Sequence, residues 1–267
     1  MNLLCERCGC TDPKYFVSFQ GKDLCRRCIS YQGNEGKSLS YEEDVVEQFN
    51  FEQTHKQKEV SEAIYQASHL GNVLVYAVCG SGKSELVVQT ISQYLSAHKK
   101  VGITIARKQV VLELKDRYQS IFPHLKVTAV CEGHTDDLVG ELIICTTHQL
   151  YRFHKQFDCL IIDEPDAYPY HNDEVLQGFA KQACQGIKIY LTATPDEGIR
   201  KDVKSEIQLF KRPHNYPLPV PKLIKVPLIF QLIWLKYQSF DKPTLIFVPS
   251  IKLGKLLSKL LNMKFAY

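Results

Sequence analysis

The sequence predicts an α/β fold, a parallel sheet with helices on both faces, preceded by a small cysteine-rich unit. Three observations carry this. From Asn72 onward, short apolar runs alternate with segments of helical periodicity. The runs are apolar almost without interruption, as strands covered on both faces must be. The first of them opens into a glycine loop ending Gly-Lys-Ser, a strand–loop–helix order suited to a bound phosphate.

Composition narrows the function classes. Of 267 residues, 45% are hydrophobic and 23% charged, which excludes disordered and fibrous proteins. The net charge of +4 is unevenly spread: residues 211–267 hold ten Lys/Arg and one acid, so that stretch carries +9 and the rest −5. Net charge therefore argues for nucleic acid only in the last fifth of the chain. No run approaches the ~18–20 apolar residues that span a bilayer. MNLLCERCGC is too short and polar for a secretory signal, so the expected location is the cytoplasm.

The elements follow in order. Residues 1–31 hold Cys5-x-x-Cys8 and Cys25-x-x-Cys28, two knuckles that together suit a closed four-thiolate zinc site. A closed site has no open position for substrate, so the zinc is expected to be structural, stapling about thirty residues with little core of their own. Cys10 is a spare that either replaces Cys8 or stands by. Lys14, Lys22, Arg26, Arg27, Tyr15, Phe16 and Phe19 read either as a nucleic-acid surface or as the unit's small core. Residues 32–53, with GNEGKSLSYEED, read as a linker.

A domain over 54–210 opens with a helix capped at Thr54 and running to His69. Its strands are expected at Val73–Val78, Val101–Ala106, Lys126–Val130, Glu141–Thr147, Cys159–Asp163 and Lys188–Thr194. AVCGSGKS (Ala77–Ser84) supplies the phosphate loop. Gly80, Ser81 and Gly82 wrap the phosphates with backbone amides, Lys83 reaches them with its charge, and the Ser84 hydroxyl ligates Mg²⁺. Cys79 reads as a small buried side chain. CLIIDEPD ends a strand with Asp163, placed to hold Mg²⁺, and Glu164, placed to deprotonate an attacking water. LTATP follows, where Thr192 and Thr194 are positioned to hydrogen-bond Asp166 and so link hydrolysis to movement. Residues 211–222, with four prolines, form an extended connector. TLIFV (Thr244–Val248) reads as a strand, and SIKLGKLLSKLLNMKF as a helix with Leu253, Leu256, Leu257, Leu260 and Leu261 at helical spacing. That leucine face is expected to be exposed or docked, predicting self-association.

AVCGSGKS, DEPD and TATP are similar to motifs I, II and III of superfamily 2 helicases, whose first motif carries Ala where Ala77 stands. With the four-cysteine unit, TTHQLYRF and DEPDAYPY, the order resembles the ComFA late-competence family over essentially the whole chain. The resemblance implies a RecA-like P-loop NTPase domain, ATP and Mg²⁺ as cofactors, and single-stranded DNA as the partner that stimulates hydrolysis. It also implies work beside the membrane DNA-uptake channel, from the inner face of the membrane, together with a ComFC-like protein. QTHKQ resembles the upstream Q-motif, in which Gln57 would read the adenine edge. ARKQVVLEL resembles motif Ia, with Arg107 and Lys108 where the family more often has Pro-Arg, and TTHQL would touch the DNA backbone through Thr147 or His148. Hydroxyls at a strand end also serve as helix caps.

TLIFVPS resembles motif IV, so residues 223–267 are expected to begin a second RecA-like lobe. No match to motifs V and VI follows, which predicts weak nucleotide binding and slow hydrolysis by these 267 residues. Two other readings stand beside the motor: a non-catalytic DNA-binding or assembly module, and a replication-restart helicase of the PriA type, whose cysteines lie between motor motifs.

Overall fold

The computed structural model describes residues 3–19, 21–49, 52–213, 220, 222–237 and 243–264. It divides into two compact units, 1–216 and 217–267. The first begins with a hairpin of β1 (Phe16–Phe19) and β2 (Lys22–Cys25), then β3 (Lys37–Ser38) and α1 (His55–Ser68). Next come β4 (Val73–Ala77), α2 (Lys83–Leu86), α3 (Val88–Ser96), β5 (Val101–Ile105), α4 (Lys108–Ile121), β6 (Val127–Val130), β7 (Val139–Gly140) and β8 (Leu142–Thr146). It closes with β9 (Phe157–Asp163), α5 (Glu174–Ala183), β10 (Cys184–Thr192), α6 (Glu197–Asp202) and β11 (Ser205–Leu209).

Seven strands form one parallel sheet in the order β11-β4-β10-β9-β5-β8-β6. Their side chains alternate between two buried layers. Val73, Val75, Ile103, Cys159 and Ile161 face one core with Ile64, Ile91 and Tyr118. Leu74, Ile143, Leu160 and Ile162 face the other with Leu176 and Phe179. Burial on both faces explains the uninterrupted apolar runs, and all six expected strands are present. β11 is an additional edge strand. Its signal was the alternation of Ile207 and Leu209 with polar neighbours, too short to separate from a loop.

α1 begins where Thr54 and Gln57 form a reciprocal capping box, the Thr54 hydroxyl accepting from Gln57 N and the Gln57 carbonyl from Thr54 N. The stretch read as a linker lies against the sheet domain: β3 pairs with β7, and Ser92 Oγ donates to the Val45 carbonyl at 2.9 Å. The cysteine unit also packs on this domain. A Cβ on Gly178 of α5 would lie 2.1 Å from the Cys8 carbonyl oxygen, so only glycine permits that approach. Arg27 pairs with Glu174, and Tyr31 meets Phe179 edge-on at 4.8 Å.

The second unit holds α7 (Leu228–Tyr237) and α8 (Ile251–Leu261). α8 is the expected leucine helix, capped by Ser250 and ended by left-handed Asn262. Leu257 is buried, whereas Leu256 and Leu260 are exposed. The strand expected at Thr244–Val248 is a correction: these residues form neither strand nor helix, since an apolar run becomes a strand only through ladder pairing. α7 was not foreseen, because LIFQLIWLKY is apolar all round and shows no face. Most of the proline connector, 214–219 and 221, lies outside the described residues, as does the Lys22 side chain.

Candidate functional site

The sheet order sets the site. β4, β10 and β9 are neighbours, so the phosphate loop, the Thr-Ala-Thr segment and the acidic pair emerge side by side from their carboxyl ends. Parallel sheets bind ligands at this edge. β5 and β8, one and two strands beyond β9, carry Arg107 and Lys108, and Thr147 and His148, from the same edge.

The loop turns on two left-handed glycines, Gly80 at φ 74° and Gly82 at φ 82°. The left-handed backbone at Gly82 favours glycine, and a Cβ there would also press on Gln57 Nε2 at 2.8 Å and displace the end of that side chain. Lys83, the first residue of α2, extends its ammonium to the Ala77 carbonyl at 3.4 Å. The Ser84 carbonyl accepts from the buried Tyr118 hydroxyl at 2.8 Å, and Glu85 pairs with Arg117 at 3.0 Å. α4 thereby braces the helix that follows the loop. Neither contact had a sequence signal, since both join residues more than thirty apart. Cys79 corrects an expectation: it is exposed, because it lies in the loop beyond the end of β4 and not in the buried strand.

Gln57 is only 5% exposed, and its amide is largely committed. The carbonyl oxygen serves Thr54, and Nε2 donates to the Ser81 carbonyl at 3.3 Å, which leaves one Nε2 hydrogen.

Asp163 ends β9 with a buried carboxylate oxygen, Oδ1, that has no hydrogen-bond partner. Burial, reinforced by the Glu164 charge and opposed by Lys83, pushes its pKa up to about 6. An orphaned buried carboxylate oxygen near the Lys83 charge suits a hard cation, so Asp163 fits a Mg²⁺ ligand. Glu164 adopts φ 52°, rare for a side chain of its kind, and is held there by its N–H on the Leu191 carbonyl at 2.9 Å. Asp166 accepts from both Thr192 and Thr194, the pair of contacts the sequence suggested.

The orphaned oxygen has a consequence for stability. The folded pKa of Asp163 lies above its ordinary 3.8, so the protonated carboxyl is the form the fold favours. The penalty is absent below about pH 4, grows as pH rises, and is complete above about pH 6. In Mg²⁺-free buffer at pH 7.5, Asp163→Asn is expected to raise unfolding stability by on the order of 2 kcal/mol. Urea titration should show the gain fading toward pH 4. Equal stability of the two proteins at pH 7.5 would refute it.

Arg107 and Lys108 are exposed at the start of α4, whose first amides no side chain caps. Thr147 is buried, with an unpartnered hydroxyl, so of Thr147 and His148 only the half-buried His148 has access to a ligand.

In the cysteine unit, the sulfurs of Cys5, Cys8, Cys25 and Cys28 all lie within 4.8 Å of one another. Cys5 and Cys28 are 3.5 Å apart, and Cys8 and Cys25 3.8 Å. A tetrahedron with 2.3 Å metal–sulfur bonds has edges of about 3.8 Å, so the set fits zinc. Burial pushes the Cys8 thiol up to about 12, a cost that a cation among the sulfurs would reverse. Cys10 is outside the set; its carbonyl accepts the Cys5 N–H at 2.9 Å and shapes the knuckle.

A glycine loop, an acidic strand end and a Thr-Ala-Thr strand end on neighbouring parallel strands are the arrangement of a RecA-like phosphate-loop domain. Residues 50–197 match the family described as Type III restriction enzyme, res subunit. The chain is 29% identical over 284 residues to Competence protein ComFA of Bacillus subtilis, covering 93% of this chain and 61% of that protein. It is 31% identical over 291 residues to Competence protein ComFA of Streptococcus pneumoniae, covering 98% of this chain and 67% of the relative. The chain belongs to the ComFA family of helicase-like proteins, and it spans about two thirds of the length of these relatives. Solved structures with similarity include the Sulfolobus solfataricus SWI2/SNF2 ATPase core in complex with dsDNA, at 16% identity and TM-score 0.46 over 62% of this chain and 36% of that one. The UvsW helicase of bacteriophage T4 is similar at 14% identity and TM-score 0.46, over 66% and 70%. Among the described residues no helix is long and apolar enough to cross a membrane.

Proposed function

We propose that this chain is the ATP-binding and DNA-contacting part of a motor for DNA uptake in competence. The observation that carries the reading is the buried Oδ1 of Asp163, unpartnered among the described residues and near the Lys83 charge, where a Mg²⁺-bound triphosphate would need it. In this reading Gly80, Ser81, Gly82 and Lys83 hold the phosphates, Ser84 and Asp163 hold Mg²⁺, and Glu164 takes the proton from the attacking water. Bound Mg²⁺ supplies charge stabilisation for the transferred phosphoryl group; the chain's own residues position it. Asp166, bridged to Thr192 and Thr194, ties the acidic loop to the end of β10 and so passes nucleotide state to the neighbouring strand.

Single-stranded DNA is placed on the β5 and β8 half of the same edge. Arg107 and Lys108 meet its phosphates beside the uncapped α4 amides, with His148 close by. The uptake channel and a ComFC-like protein are the partners this role calls for.

The reading is tested by measuring nucleotide affinity and ATP turnover with and without single-stranded DNA, for wild type and Lys83→Ala. Wild type should bind Mg·ATP, with turnover that rises on DNA. Lys83→Ala should lose at least about tenfold in affinity, the effect of removing one charge-assisted phosphate contact. If the two proteins behave alike, the motor reading fails and the non-catalytic module replaces it.

A further inference from the structure

The edge strand β11 runs parallel to β4 with Leu209 opposite Ala77. Its register is extended past the strand end by the Val78 N–H on the Leu209 carbonyl at 3.2 Å and by Phe210 meeting Tyr76 edge-on. The chain after β11 is thereby laid alongside the phosphate loop. Arg212 ends this approach: its Nε donates to the Cys79 carbonyl at 2.9 Å, and its guanidinium lies 3.4–3.6 Å from where a Cβ of Gly80 would be. Arg212 pairs with no carboxylate among the described residues.

A cavity of about 150 Å³ adjoins this contact, with Thr54, Lys56 and Gln57 on one side and Leu209, Lys211 and Arg212 on the other. Gln57 joins it to the phosphate loop through Ser81. It lies on the β11 side of the loop, away from Asp163, which ends β9 two strands across. A nucleotide with its terminal phosphates toward Mg²⁺ must send its nucleoside the opposite way. With most of the Gln57 amide committed, the base needs another partner. A guanidinium fixed through Nε keeps a free planar face for stacking and two further nitrogens for an α-phosphate or ribose.

We propose that Arg212 is a nucleotide-binding residue that clamps the nucleoside end over this cavity. The inference rests on the ATP reading above and adds to it a residue outside the helicase motifs. It also places nucleotide contact at the first residues of the connector that leads to the second unit.

The test measures Mg·ADP and inorganic tripolyphosphate binding by calorimetry, for wild type, Arg212→Ala and Arg212→Lys. Arg212→Ala should weaken Mg·ADP by about five- to twentyfold and leave tripolyphosphate within about twofold. Arg212→Lys should not restore ADP binding, because an ammonium offers neither the plane nor the fixed fork. Undiminished ADP binding by Arg212→Ala, beside a wild type that binds, overturns the clamp and leaves the ATP reading intact. Equal losses for ADP and tripolyphosphate also overturn it, since they would mean that Arg212 only props the loop. A wild type that binds neither probe defeats the ATP reading and the clamp with it.

Discussion

Glu164→Gln is expected to leave Mg·ATP affinity within about twofold of wild type and to lower turnover by about 10²–10⁴, the usual worth of a positioned general base. The substitution keeps shape and removes the negative charge, and with it the capacity to take a proton. Its backbone should not move, because several contacts hold the turn: Glu164 N on the Leu191 carbonyl, Ala167 N on the Glu164 carbonyl at 3.0 Å, and Asp166 on two threonine hydroxyls. These contacts also explain how a non-glycine residue persists at φ 52°, a conformation costing on the order of 1 kcal/mol. Glu164→Gly separates the roles further. It should relieve the backbone cost, hold or raise stability, and still lose turnover. The pair is read by single-turnover hydrolysis alongside nucleotide binding. Wild-type turnover in Glu164→Gln would remove Glu164 from the chemistry and leave its strain as a feature of the turn alone.

What could be read from the sequence depended on how local the signal was. The loop at Gly80–Ser84, the acidic strand end at Asp163 and the knuckle cysteines are contiguous, and their spacing carries their chemistry. The five inner strands and β6 at one edge were legible because their faces are buried, which leaves short runs almost free of polar interruption. β11 at the other edge, half-covered and alternating Ile207 and Leu209 with polar residues, had no such run. Thr244–Val248 shows the converse, since its composition suits a strand yet it forms none, and composition alone does not set ladder pairing. Contacts closed by topology were invisible for a related reason. Arg212 on Cys79, Tyr118 on Ser84 and Cys8 on Gly178 join residues far apart in sequence, and no periodicity reports them. Gln57 combines both cases, because its capping role is written in Thr54-x-x-Gln57 while its bond to Ser81 depends on where α1 lies against the loop.

Cys25→Ser is expected to reduce bound zinc from one equivalent to near none, and the loss should be felt in the sheet domain. Cys25 and Cys28 are buried in the same apolar cluster as Phe179, Leu176 and Ala180 of α5. The Cys8 carbonyl rests on Gly178, Arg27 holds Glu174, and Tyr31 packs on Phe179, so the knuckles cover one face of that helix. Three thiols cannot close a tetrahedral site, and burial raises the pKa of Cys8 and Cys28, so without metal these thiols stay protonated and the knuckles lose what draws them together. α5 is then uncovered. Thermal unfolding should begin at a lower temperature, by roughly 5 °C or more, since each kcal/mol moves the midpoint of a domain this size by about 2–4 °C. Cys10→Ser serves as the comparison: it lies outside the sulfur cluster and should keep full zinc. Metal analysis on purified proteins decides the matter. One equivalent retained by Cys25→Ser, or zinc lost from Cys10→Ser instead, would mean that Cys10 belongs to the ligand set and that the knuckle closes differently.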